Sequence, residues 1–165
     1  MARYMKLDWL DDGRLIILLP ESLLSAWHGI HSDDYDRACA ISNLWLNTIS
    51  VPSGHGFLLG GDVGMVLAIP SSNGVTSLIR WVYADDEEEL VAFALQGNSV
   101  TQAEPDLIFD NTFAKWILFD AAASPSSDNP ARRSFDLPFG QIRVETVLCE
   151  SKPNAAIVHR FSKSA

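Results

Sequence analysis

Two histidines followed by three aspartates are the residues of this chain whose types and spacing come closest to a metal site. His28 and His31 stand three residues apart, and Asp33, Asp34 and Asp36 come next. Imidazole and carboxylate groups bind zinc, but a His-x-x-His pair presents both rings to one ion only from a single helical face. The glycine between the histidines and the Ser-Asp-Asp after them favour a loop. We therefore predict neither a metal nor any other cofactor.

Motifs for catalysis or phosphate binding are absent or are better explained as turns. Ser53-Gly54-His55-Gly56 places a serine beside a histidine, but neighbouring residues on a turn rarely point at a common atom. The Gly-x-Ser-x-Gly motif of hydrolases is missing, and Gly60-Gly61-Asp62-Val63-Gly64 lacks the Lys-Ser or Lys-Thr of a P-loop. Carboxylates are plentiful, but nothing selects a glycosidase-like pair among them. The sequence predicts a protein that is not an enzyme.

The composition predicts one acidic domain covering residues 1–165. Apolar residues make up 47% of the chain and charged residues 20%, which supplies enough apolar side chain for one core. The apolar run Leu15 to Leu19 is far shorter than the ~20 residues that span a bilayer, and Arg3, Lys6 and Asp8 interrupt any signal-like segment. We therefore expect no membrane span and a cytoplasmic location. A net charge of −9 excludes the cationic face that nucleic acids require, whereas it suits a basic protein partner.

The elements that must position these residues are mostly short β-type runs, separated by turn residues. The runs are Arg14 to Leu19, Asp36 to Ile41, Leu46 to Val51, Gly56 to Leu59, Met65 to Ile69, Thr76 to Tyr83, Phe113 to Phe119, Ile142 to Cys149 and Ala155 to Phe161. Most connections are too short for a crossover helix, which favours antiparallel pairing. The predicted fold is α+β and predominantly antiparallel β, either a sandwich or a partly open barrel.

One helix near residues 86–96 is clearly indicated and would pack against the sheets. Asp85 stands in the position of its cap, with Glu88 three residues on as the capping-box partner. Apolar residues then recur at helical spacing from Leu90, and Gly97 is a typical helix stop. The acidic run Asp85 to Glu89 therefore has a structural explanation, because carboxylates stabilise the positive end of a helix dipole.

Less regular segments give weaker predictions. Pro20 to Trp27 indicates a second helical turn, and Ala121 to Arg133 indicates a mobile surface loop within the domain. Cys39 and Cys149 lie in strand-like runs without nearby zinc ligands, and we interpret both as small buried hydrophobes.

A series of short motifs runs through nearly the whole chain. The motifs are Leu18-Leu19-Pro20-Glu21-Ser22-Leu23-Leu24 with Trp27 and Gly29, Asp34-Tyr35-Asp36-Arg37-Ala38-Cys39-Ala40, Gly56-Phe57-Leu58-Leu59-Gly60-Gly61-Asp62, Leu78-Ile79-Arg80-Trp81-Val82-Tyr83-Ala84-Asp85, Leu118-Phe119-Asp120-Ala121-Ala122 and His159-Arg160-Phe161. Together and in this order they resemble the immunity protein 21 family of bacterial polymorphic toxin systems. The resemblance implies a protein that binds a cognate toxin domain and blocks its action without catalysis.

Asp33, Asp34, Asp36 and Trp27 are our candidate toxin contacts. The acidic run Asp85 to Glu89 is explained by its position at a helix start, whereas the three aspartates have no such structural explanation in the sequence. Trp27 is included because tryptophan is a frequent anchor at interfaces.

Two alternatives remain open at this point. One is a small-molecule-binding or hydrolytic β-barrel protein, with Trp27, Trp45 and His28 lining a pocket. The other is a domain that supports a larger assembly. The sequence names neither the toxin nor its binding face, and it leaves the oligomeric state undetermined.

Overall fold

The computed structural model describes residues 7–11 and 15–164, and these residues form two antiparallel β-sheets with short helical segments. The strands are β1 (Leu10–Asp11), β2 (Ile16–Pro20), β3 (Leu46–Val51), β4 (Gly54–Leu59), β5 (Met65–Ser72), β6 (Val75–Tyr83), β7 (Val100–Ala103), β8 (Leu107–Asn111), β9 (Lys115–Asp120), β10 (Arg132–Asp136), β11 (Gly140–Ser151) and β12 (Asn154–Lys163). The α-helices are α1 (Asp34–Ile41) and α2 (Glu87–Gln96), and 3-10 helices cover Glu21–Ala26 and Gly29–His31.

The two sheets pack as a sandwich, which confirms the predicted α+β, mostly antiparallel class and its sandwich form. The first sheet has the order β1-β5-β6-β12-β11-β7, with β8 also paired to β11, and the second has the order β10-β9-β2-β4-β3. Neighbours such as β5 and β6 or β11 and β12 are joined by tight turns, which only antiparallel pairing permits. Neither sheet closes into a barrel.

Apolar side chains pack in three layers, because both sheets are covered on both faces. The central layer lies between the sheets and includes Phe57, Leu78 and Trp116. A second layer lies under α1 and the 3-10 helices, and a third lies between α2 and the first sheet. A strand that is buried on both faces has apolar residues at successive positions instead of alternating apolar and polar ones. Strand β2 is an example, because it reads Ile-Ile-Leu-Leu-Pro and is buried at every position.

Helix α2 confirms the predicted helix but moves its cap by one residue. The Asp86 side chain, not that of Asp85, accepts the Glu89 backbone N–H at 2.9 Å. Capping requires extended backbone at the cap residue, and Asp86 has it, with φ −138° and ψ 133°. Gly97 ends the helix in the left-handed region, with φ 71°.

Helix α1 shows that the strand predicted from Asp36 to Ile41 was wrong. The Asp34 N–H donates to Ser32 Oγ at 3.1 Å, and the Arg37 N–H donates to the Asp33 carbonyl at 3.0 Å, which starts a helical turn. Acidic residues in that turn stabilise the helix, because their negative charge lies near the positive end of the helix dipole. Ala38 is fully buried in the layer beneath α1, so packing against the second sheet stabilises the short helix.

The remaining sequence predictions have mixed outcomes. The 3-10 helix Glu21–Ala26 confirms the helical turn predicted near Pro20, and residues 60–64 connect two strands as expected. Cys149 is buried as predicted, but Cys39 is exposed on α1. The strand predicted from Arg14 is observed as β2, and Arg14 itself, like Arg3 and Lys6, lies outside the described residues. Within the described ranges, no helix is long and apolar enough to cross a membrane.

Candidate partner-binding surface

The three candidate aspartates lie together at the start of α1. Asp33 occupies the cap position, and Asp34 and Asp36 belong to the first turn. Asp33 and Asp36 are exposed, and neither forms an ion pair with another described residue. These two carboxylates are therefore free to meet a partner, and they lie beside the positive end of a helix dipole.

Asp34 differs from its neighbours because its carboxylate is used within the chain. Its Oδ2 accepts the His28 backbone N–H at 2.9 Å, and its Oδ1 lies 3.4 Å from Arg37 Nη2. The side chain is only 14% exposed. Asp34 therefore fixes the turn that precedes α1 and offers a partner little surface.

Trp27 is completely buried, so the structure does not place it on the candidate surface. Its indole Nε1–H donates to the Ala121 carbonyl at 2.8 Å. The Arg37 guanidinium lies over the ring at 5.9 Å and also donates to the Ser50 carbonyl of β3 at 2.6 Å. In this arrangement Trp27 supports α1 from below and has no surface with which to contact a partner.

The segment predicted as a mobile loop, Ala121 to Arg133, is held against the α1 region. His31 Nε2 lies 3.0 Å from both carboxylate oxygens of Asp128, and the Ile30 N–H donates to the Ala122 carbonyl at 3.0 Å. A hydrogen bond from the Ser124 N–H and then the contact with His31 lower the pKa of Asp128. Turns occupy this segment until β10 begins at Arg132.

Gly29 allows this close approach between the loop and the 3-10 helix. It has φ +55°, and a Cβ built on it would lie 2.2 Å from the Ala122 carbonyl oxygen. Any other residue would push the two segments apart and strain the backbone.

Ile30 is an exposed apolar residue on this surface that our sequence reasoning missed. It is 64% exposed on the 3-10 helix Gly29–His31, just before the aspartates. A single isoleucine between polar residues carries no signal in the sequence, because only the tertiary structure determines whether it points inward. An apolar side chain beside exposed carboxylates resembles the apolar centre and charged rim of protein interfaces.

A second acidic group lies on the opposite face of the sandwich. Asp85, Glu88 and Glu89 at the start of α2 are exposed. Helix α2 covers the first sheet, whereas α1 covers the second. The chain therefore presents two acidic helix starts that face away from each other.

The residues of the pocket alternative are not brought together. Trp27 contacts Arg37, which reaches the end of β3 at Ser50, whereas Trp45 directly precedes the start of that strand. The two tryptophans therefore lie toward opposite ends of β3.

His55, next but one to Ser53 in the sequence, lies on β4 and packs among aromatic side chains. Its ring packs edge-on against Phe57 at 5.4 Å and Phe109 at 5.7 Å, and burial lowers its pKa. No group of three metal-binding side chains occurs within residues 7–11 and 15–164.

A buried polar group between the sheets was also missed from the sequence. The Arg80 guanidinium is fully buried and donates to the carbonyls of Gly60 at 2.6 Å and Val63 at 3.0 Å. Burial lowers its pKa to about 10, and the charge of Glu104 opposes this shift. Arg80 thus stays charged at neutral pH and fixes the turn of residues 60–64. An arginine within an apolar strand sequence is the signal that could have identified this buried charge.

One comparison with known proteins gives a match. A family model described as Immunity protein 21 matches residues 8–155 of the 165-residue chain. The matched range includes α1, α2 and the candidate surface. No curated protein and no solved structure matches the chain.

Proposed function

This chain belongs to the immunity protein 21 family, and we propose that it binds a cognate bacterial toxin domain and neutralises it. The observation that carries the proposal is the family match over residues 8–155. The proposed action is binding in the cytoplasm, without turnover of a substrate, and the proposed partner is a protein and not a nucleic acid or a membrane.

We place the toxin contact on the surface formed by Ile30, Asp33 and Asp36. Ile30 supplies apolar area that becomes buried on binding, and the two carboxylates supply charge at its border. Asp34 and Trp27, the other two candidates from the sequence, act in this proposal by holding that surface in shape. A surface that is already ordered loses less conformational entropy on binding.

The charge of the chain supports a basic partner. With a net charge of −9, the molecule attracts a cationic toxin surface before contact, which raises the association rate. Such steering weakens as salt screens the charges. We therefore expect the association rate to fall steeply as ionic strength rises.

The test compares charge reversal on the two acidic helix starts. Asp33→Lys with Asp36→Lys changes the charge of the α1 surface, and Glu88→Lys with Glu89→Lys makes the same change on α2. All four residues lie at the start of a helix, so the effects on helix stability are similar. We expect the α1 variant to bind its cognate toxin domain at least about tenfold more weakly, measured by calorimetry, and to lose protection when the two are co-expressed.

The α2 variant serves as the control for net charge alone. It should retain most of the affinity, because only long-range steering is changed. Equal losses of affinity in the two variants would show that α1 does not lie in the interface. Unchanged affinity and protection in both would contradict an acidic contact surface.

A further inference from the structure

Strand β8 lies at the outer edge of the first sheet, and part of its backbone faces away from that sheet. The Ser164 N–H donates to the Gln141 carbonyl at 2.9 Å, so odd-numbered residues of β11 direct their backbone groups toward β12. Even-numbered residues of β11 therefore bond to β8, where they pair with its odd-numbered residues. Since backbone direction alternates along a strand, Ile108 and Asp110 direct their N–H and C=O groups outward.

This edge is open within the part of the chain that the structure describes. Strand β8 pairs with β11, and it runs closely alongside no other described element. Among the described residues, no hydrogen bond reaches the outward backbone groups of Ile108 or Asp110. Ile108 is 55% exposed, and Asp110 is exposed as well. The edge can therefore accept a further strand.

The second sheet extends beyond β8. The Phe109 ring packs edge-on against Phe57 at 4.9 Å and His55 at 5.7 Å, so β8 lies over β4. On the next strand, β3, Thr48 and Ser50 pair with these two residues of β4 and therefore share the face that is turned toward the first sheet. Both are nevertheless exposed, whereas Ile49 and Val51 on the other face are buried. Among the described strands, none of the first sheet covers this part of β3.

The edge of β8 and the uncovered face of β3 form a trough, which we define by Ile108, Asp110, Thr48 and Ser50. Neighbouring strands of a sheet lie about 4.8 Å apart. A strand added beside β8 would therefore lie over β3, as β8 lies over β4. Its backbone would bond to Ile108 and Asp110, and it would cover the side chains of Thr48 and Ser50. The trough thus suits one extended segment.

Charge favours a basic segment in this trough over a second copy of β8. Asp110 forms no ion pair within the described residues, whereas Asp106 is paired with Arg143. Two antiparallel copies of β8 centred on Ile108 would place Asp106 opposite Asp110, and like charges directly opposite each other are destabilising. The whole chain has a net charge of −9. A strand with an apolar residue opposite Ile108 and a lysine or arginine opposite Asp110 fits these side chains.

The trough adjoins the α1 surface. The Arg37 side chain of α1 donates to the Ser50 carbonyl on β3 at 2.6 Å. Arg37 directly follows Asp36 and lies one helical turn from Asp33. A single toxin domain can therefore contact α1 and the trough together.

We propose that the trough binds an extended basic segment of the toxin domain as an additional antiparallel strand of the first sheet. The segment exchanges backbone hydrogen bonds with Ile108 and Asp110, and one of its cationic side chains meets the Asp110 carboxylate. The added strand removes an exposed edge from the sheet. This inference rests on the proposed function, because the segment belongs to the toxin.

A proline in the edge provides the first test. Ile108→Pro removes an N–H that the free chain does not use, so the fold should persist, as circular dichroism would show. We expect this variant to bind its cognate toxin domain at least about tenfold more weakly in calorimetry, because a hydrogen bond at the centre of the added strand is lost. Ile108→Val keeps the N–H and should bind like the wild type.

Filling the trough from the side of β3 provides a test that leaves β8 unchanged. Thr48→Trp places a large ring on the exposed face where the added strand would lie, and it should also weaken binding at least about tenfold. Thr48→Val adds no bulk and should bind like the wild type. Full affinity for the toxin in either Ile108→Pro or Thr48→Trp would overturn the proposal.

Amide hydrogen exchange tests the backbone pairing directly. In the toxin complex, the N–H groups of Ile108 and Asp110 should exchange at least about tenfold more slowly than in the free chain, because they become hydrogen-bonded. Unchanged exchange at both positions, in a complex that forms and protects cells, would overturn the added strand and leave the proposed function intact. A wild-type chain that does not bind its toxin at all would overturn the proposed function and this inference with it.

Discussion

His159 is the histidine whose protonation the fold opposes most strongly. Its side chain is fully buried, and Nδ1 lies 2.9 Å from Thr146 Oγ1 on the neighbouring strand. Burial, followed by the positive charge of Arg80, lowers its pKa well below the ordinary value of 6.5. The unfolded chain therefore binds a proton at a pH where the folded chain does not. Stability is complete above about pH 6.5 and falls as the pH decreases below that value.

Replacing His159 should reduce this acid sensitivity. In His159→Gln the amide can still bond to Thr146, but it does not titrate. We expect the wild type to lose up to about 1.4 kcal/mol of unfolding free energy per pH unit below pH 6.5 through this group, and the variant to lose less. Urea unfolding between pH 5 and 8 measures the difference. His28→Gln, at an exposed position, should behave like the wild type, and identical profiles for all three proteins would refute the assignment.

At the scale of elements, the two helices begin with acidic residues but are stabilised differently. In α2 the Asp86 side chain accepts a backbone N–H from the first turn. In α1 the cap residue Asp33 makes no such bond, and Ser32 Oγ accepts the Asp34 N–H in its place. Asp33 is therefore less necessary for helix formation than Asp86, which is consistent with a role for Asp33 in binding.

The shifted cap of α2 gives a prediction at this scale. Asp86→Ala should lower the unfolding free energy by about 1 kcal/mol, because the Glu89 N–H loses its acceptor. Asp85→Ala removes an exposed carboxylate one residue earlier and should change stability by less than about 0.5 kcal/mol. Chemical denaturation of the two variants measures both effects. A larger loss for Asp85→Ala would assign the cap to Asp85.

At the scale of the whole molecule, the Glu104 side chain is one of those that connect the two sheets. It lies between β7 and β8, and its own N–H donates to the Thr146 carbonyl of β11 at 3.0 Å. Its carboxylate accepts the N–H groups of Trp45 at 2.7 Å and Leu46 at 3.2 Å, where β3 of the other sheet begins. Its charge also opposes the cost of burying Arg80.

Removing this connection should destabilise the whole sandwich. Glu104→Ala leaves two backbone donors without their acceptor and the buried arginine without its nearby negative charge. We expect a loss of about 2 kcal/mol or more in unfolding free energy, measured by urea denaturation. Asp110→Ala removes an exposed carboxylate from β8 and should have little effect. Equal stability of the Glu104 and Asp110 variants would show that Glu104 does not join the sheets.

The amino-acid sequence by itself determined the fold class, most of the strands and helix α2. These features depend on local turn residues and on runs of apolar side chains, which are visible without the tertiary structure. The same local rules failed for residues 36–41, because Arg-Ala-Cys-Ala-Ile suits a strand or a helix and packing against the second sheet decides between them. They also missed β10, which is recognisable only beside β9.

The tertiary structure alone decided which candidate residues face a partner. Trp27 and Asp34 were candidate contacts from the sequence, yet the first is fully buried and the second is bonded within the chain. Ile30 carried no signal in the sequence and is exposed. The physical reason is that exposure depends on contacts between distant segments, here between residues 27–31 and the turn at Ala121 and Ala122, and such contacts leave no local pattern in the sequence.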